Sequence, residues 1–135
     1  MRTSKDVEAY LLRMGRRFHE VAEGTWIVRA EREETVAVRC SDPLLVTRLE
    51  VGPIPPAGAP DREALFEKLL RLNATALVHA AYGVDDQTLV LAAALPLENL
   101  DYNELEALLG EIDEAATHQL PDIRAALPGQ SPANH

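Results

Sequence analysis

A chain of 135 residues with a single cysteine and a net charge of −9 has room for one domain with its own core, and it has no disulfide framework. Residues 1–72 hold twelve Lys/Arg against twelve Asp/Glu, whereas residues 73–135 hold ten acids against Arg124 alone. An acidic half repels phosphate backbones and the balanced half offers no basic stripe, which argues against nucleic acid as a partner.

The opening stretch, "MRTSKDVEAYLLRMGRRF", is broken by charge every few residues, unlike a secretory leader. No apolar run approaches the ~20 residues of a membrane span, so the expectation is a cytoplasmic protein with no membrane partner. Ser4 or Thr3 can cap a first helix, with Asp6 and Glu8 in its opening turn, where the helix dipole favours negative charge. Val7, Tyr10, Leu11, Met14 and Phe18 then form one apolar stripe, which carries the expected helix through Phe18. Gly24 marks a turn, after which the pattern alternates.

Three strands are expected next. Trp26, Val28 and Ala30 share one face of the first, and Val36, Val38 and Cys40 share one face of the second, with Arg32–Glu34 as the turn between them. After Asp42–Pro43, Leu45, Thr47, Leu49 and Val51 face one way along the third, while Leu44 and Val46 join Arg48 and Glu50 on the other. Short connections and alternation indicate an antiparallel meander with one face on a core. The proline-rich loop Gly52–Asp61 cannot continue a ladder. Asp61 is read as the cap of a second helix, whose apolar residues Leu65, Phe66, Leu69, Leu70 and Leu72 form a broad stripe, and Asn73 is read as its end.

Two further strands, 75–82 and 88–95, are expected about a turn in "GVDDQ". Asp101 and Glu104 form an acidic capping box for a third helix, with Leu100 placed to staple against Leu105. Leu108, Leu109, Ile112, Ala116 and Leu120 continue its apolar face. Pro121 interrupts, "DIRAAL" suits a short further turn of helix, and the last residues read as a tail. The expectation is thus a single α+β domain over 1–127 with a flexible tail at 128–135. Its five-stranded antiparallel sheet has helices packed on one face, in the order α-β-β-β-α-β-β-α.

The runs Ala76–Ala81 and Thr88–Leu95 are apolar at both odd and even positions. As strands they have no wet face, and burying a few hundred Å² at ~25 cal/mol per Å² is worth several kcal/mol, comparable to the stability of a small domain. Three things can cover such a face: a second copy of the chain, a partner polypeptide, or the segment after Pro121 folded back.

No catalytic or metal constellation accompanies these patterns. His19, His79, His118 and His135 lack metal-ligand spacing, and Cys40 on an alternating strand behaves as a small hydrophobe. No serine sits in a G-x-S-x-G elbow, Asp85 and Asp86 suit a turn, and the glycines form no phosphate loop. The expectation is a non-enzymatic protein without a cofactor.

The segments "ALFEKLLRLNA" and "YGVDDQTLVLAAALPLENLDYNELEALL" resemble the second helix, the closing hairpin and the capped third helix of the class I type III secretion chaperone (Tir chaperone, or CesT-like) family and its YbjN-type relatives. The resemblance runs over roughly residues 4–120 and is strongest in 64–112; the loop 52–60 and the first helix depart from it. It implies a homodimer that performs no chemistry and holds a non-globular segment of an unidentified client polypeptide. Carried over by position, it places Leu65, Leu69, Ala76, Val78, Ala80, Val90 and Ala92 on the dimer side. It likewise places Ile27, Ala37, Leu44 and Val46 on the client side. The competing expectation is a regulatory or scaffold protein of the same fold that docks a folded partner through the acidic third helix.

Overall fold

The computed structural model describes residues 1–129. Helix α1 (Ser4–Met14) opens on Thr3, whose hydroxyl accepts the Asp6 N–H while its own N–H donates to the Asp6 carboxylate. The reciprocal pair satisfies two of the donors that a helix start leaves free. Gly15, at φ 73°, ends the helix in the left-handed conformation open to glycine. Phe18 therefore does not extend the helical stripe. It begins strand β1 (Phe18–Ala22), which lies antiparallel to β2 (Thr25–Arg29). The sheet has six strands, and the expected five is corrected by this one. Two residues, Arg16 and Arg17, separate Gly15 from Phe18, so the apolar spacing that looked helical joins two elements.

A 3₁₀ turn, Glu31–Glu33, leads to β3 (Thr35–Ser41), which pairs in turn with β4 (Leu44–Pro53). Helix α2 (Arg62–Thr75) runs past Asn73 to Thr75. Asp61 stands at its N-cap position without the expected side-chain hydrogen bond, its backbone at φ −103° and ψ 9° lying off the extended conformation such a cap adopts. Strand β5 is confined to Ala81–Asp85, and a tight turn with Asp86 at φ 56° leads to β6 (Thr88–Pro96). The expected strand over 75–82 is thus mostly the end of α2 and a bent connection. Helix α3 (Tyr102–His118) starts on the anticipated box: the Glu104 N–H donates to Asp101 Oδ1 at 2.8 Å, and the Asp101 N–H donates to Glu104. A short α4 (Leu120–Ala125) follows. The observed order is α-β-β-β-β-α-β-β-α-α.

The sheet order is β1-β2-β3-β4-β6-β5, antiparallel throughout. β4 and β6 form its longest ladder, and β1 and β5 are its edges. Alternation puts Trp26, Val28, Val36, Val38, Leu45 and Leu49 into one core with Leu89 and Leu91. Val7 and Leu11 of α1, Leu65 and Leu69 of α2, and Leu105, Leu108, Leu109 and Ile112 of α3 fill it from the helix side. The Trp26 indole N–H is buried without an acceptor among the described residues.

Leu120, Ile123 and Leu127 join the same core. Leu127 lies against Gly52, where a Cβ would stand 2.8 Å from its Cδ1. The Arg124 guanidinium donates to the Val51 carbonyl and grips the Glu34 carboxylate. Through Gly129, then, the C-terminal segment completes the helix layer and is not folded over the opposite face. Residues 130–135, most of the expected tail, lie outside the described residues.

Candidate protein-binding surfaces

The edge strand β5 is held from two sides. The Asn73 side chain donates its amide N–H to the Tyr82 carbonyl at 3.1 Å and accepts the Tyr82 N–H at 2.8 Å. Ladder groups that would otherwise be open at the edge are closed by α2. Before the strand, the Glu111 carboxylate of α3 accepts three successive backbone N–H groups, from Val78, His79 and Ala80, at 2.7–2.9 Å. The same anchor leaves the Val78 side chain 83% exposed. The Tyr82 hydroxyl donates to Gln119 Oε1 at 2.6 Å. Burial pushes its phenol far above the ordinary tyrosine range.

Between α2 and β5 lies an apolar groove of about 280 Å³, with Phe66, Leu70, Tyr82, Val84 and Leu89 in its walls. Leu70 is 67% and Val84 49% exposed. With Val78 of the connection before β5, these are the exposed large apolar side chains about this edge. Of the residues expected on a dimer side, Leu65, Leu69, Ala80 and Val90 are buried within the protomer, and Ala92 is half-buried. Ala76 and Val78 are exposed in the connection after α2, away from any strand. Phe66 and Leu70 belong to the broad α2 stripe already visible in the sequence. Val84 was hidden in what read as turn residues.

The sheet face away from the helices carries all four residues expected on the client side. Ile27 stands opposite Ala37, Val46 opposite Arg39 and Ala94, and Leu44 opposite Ser41 and Pro96. Ile27, Ala37 and Val46 are half-buried, and Leu44 is exposed. The late strands are less apolar on this face than their sequence suggests. β5 contributes Ala81, Gly83 and Asp85, because its expected apolar run lies outside the ladder. Val90, though on this face, is only 7% exposed. Arg48, level with Ala92 on β6, reaches Asp85, level with Thr88, at 2.5 Å. The ion pair crosses β6 over the intervening Val90.

No group of three His, Cys, Asp or Glu side chains able to hold a metal ion occurs among the described residues. Burial raises the Cys40 thiol pKa, which makes it a poorer nucleophile. No helix among the described residues is long and apolar enough to cross a membrane.

The protein is thus a six-stranded antiparallel sheet backed by helices, with one sheet face free of them and an apolar groove at one edge. The CesT_Tir_1 family model matches residues 1–124, and the chain belongs to that family. No curated protein matches it in sequence. Among solved structures it is similar to a chain of the heterodimeric ExoU–SpcU complex from the type III secretion system of Pseudomonas aeruginosa, at 20% identity and a TM-score of 0.67, covering 85% of this chain and 95% of that one. The structure of the Yersinia pestis type III secretion chaperone SycH with a stable fragment of YscM2 matches at 18% identity and a TM-score of 0.57, covering 84% and 97%. YbjN from E. coli, described as a putative transcription regulator, matches at 15% identity and a TM-score of 0.56, covering 87% and 94%. At these identities the likeness is one of fold.

Proposed function

We propose that this protein is a non-catalytic chaperone of the type III secretion kind, which pairs with a second copy of itself and holds an unfolded segment of a client polypeptide. The observation that carries the reading is the coexistence of two separate apolar surfaces on one small domain. The first is the α2–β5 groove with Leu70 and Val84, and it is assigned to the second copy. Fully covering such side chains is worth about 1.5–3 kcal/mol each, and a two-fold contact counts every residue twice. The second is the sheet face with Ile27, Ala37, Leu44 and Val46, assigned to the client. An extended segment suits it, because a nearly flat half-apolar face gives no concave pocket for a small molecule.

Light scattering tests the assembly. The wild-type chain is expected at twice its 14.8 kDa mass, and Leu70→Asp or Val84→Asp at the single mass with folding intact. A dimer unchanged by both substitutions moves the contact elsewhere.

The second reading, a regulator docking a folded partner through α3, is favoured by the YbjN likeness and by exposed Glu104, Glu106 and Glu114 on a helix without Lys or Arg. Salt separates the two. Apolar wrapping persists as ionic strength rises, whereas docking by surface acids weakens as the charges are screened.

A further inference from the structure

Charge on the free sheet face runs against that of the whole molecule. The chain carries −9, and α3 on the opposite side bears five acids and no Lys or Arg. On the free face three arginines, Arg29, Arg39 and Arg48, stand against Glu50 and Asp85. Two of the three have a carboxylate nearby: Arg48 holds Asp85 at 2.5 Å, and Arg29 lies 3.9 Å from Glu33. Arg39 has neither an ion pair nor a hydrogen bond from its side chain among the described residues, and it is exposed. It stands on the middle of β3 between Thr25 and Val46. Ala37 is two residues before it on the same face, with Ile27 opposite Ala37 and Ala94 beyond Val46. An unpaired cation is thus set among Ile27, Ala37 and Val46, with Thr25 and Ser41 beside it.

We infer that the segment held on this face is an extended stretch of polypeptide in which an Asp or Glu, seated on Arg39, is flanked by apolar residues. The inference rests on the proposal that the free sheet face receives the client and adds the chemistry of that client. An apolar segment alone would strip water from Arg39 without replacing it, and a Lys or Arg there would add repulsion. A carboxylate answers the guanidinium while its neighbours cover Ile27, Ala37 and Val46. Its contribution is chiefly to selectivity, as expected for a charge pair at a partly open interface.

The test uses an array of random dodecapeptides probed with the purified full chain. The wild-type protein is expected to select peptides that combine apolar residues with Asp or Glu, against the repulsion of its own net charge. Arg39→Glu should turn that preference toward Lys and Arg, and should weaken a resynthesised acidic binder about fivefold. Arg39→Gln should leave the apolar preference without a charge preference. Both replacements are at an exposed position, and far-UV circular dichroism verifies the fold. Peptides chosen for apolar content alone, or for Lys and Arg with no response to Arg39→Glu, overturn the acidic requirement while leaving the client face in place. Binding that survives the paired change Leu44→Asp and Val46→Ser, or no binding by any peptide, removes the client face itself and the inference with it.

Discussion

Single side chains decide the condition of the β5 edge. Asn73 reads in the sequence as a helix terminator, yet it lies within α2 and turns both ends of its amide onto the backbone of Tyr82. Asn73→Leu keeps the bulk and strands two backbone groups, so it should cost about 1–3 kcal/mol in urea unfolding. Tyr82 adds a pH dependence. Its phenol is raised above the reference value of 10.0 by burial, so above that pH the unfolded chain loses a proton that the folded chain retains. The stability it contributes is therefore complete below about pH 10 and falls as pH rises beyond it. Unfolding midpoints between pH 8 and 11 should decline less steeply for Tyr82→Phe than for the wild type; parallel slopes would show a phenol that titrates alike in both states.

The elements are joined by two carboxylates from the interior of α3. Glu111 of α3 gathers the connection between α2 and β5, and Asp113, two residues on, receives Arg16 from the end of α1 at 2.6 Å and the Glu31 N–H of the 3₁₀ turn at 3.0 Å. Glu111→Ala leaves three N–H groups without their acceptor, and hydrogen exchange at Val78, His79 and Ala80 should accelerate by about tenfold or more. Glu111→Gln, which keeps one carbonyl oxygen, should restore part of that protection. Retained protection in the alanine variant would mean that the connection is held by the strand alone.

Across the whole molecule, the two late runs that look equally apolar in sequence have different fates. Thr88–Leu95 becomes the sheet's second-longest strand, and its outward Val90 is roofed by the Arg48–Asp85 pair. Ala76–Ala81 is largely a connection pinned from α3. The exposed large apolar side chains of this region consequently sit about the edge, on Leu70 and Val84 and on Val78 of the connection before β5, rather than on the back of the late strands. Val90→Asp should therefore act on folding: a carboxylate placed under a bridge whose cation is already engaged costs about 3 kcal/mol or more, read as a lower urea midpoint. Leu70→Asp should spare that midpoint, measured as single protomers, and change the mass. If Val90→Asp unfolds at the wild-type midpoint, the roof over it does not matter.

The α+β class, most strand boundaries, the alternation that builds the core and the Asp101–Glu104 cap were legible in the sequence, as was the likeness to the secretion-chaperone family. Each depends on residues within a few positions of one another, where periodicity and capping act. The first strand, the true extent of α2 and the uncovered edge were not. Phe18 is spaced as though it continued a helix, and only the left-handed turn at Gly15 and the pairing with Val28 place it in the sheet. A run such as Ala76–Ala81, apolar at odd and even positions alike, has no period to separate strand from connection. It is settled by a carboxylate more than thirty residues away, and which ends of the chain meet is a property of the packed fold.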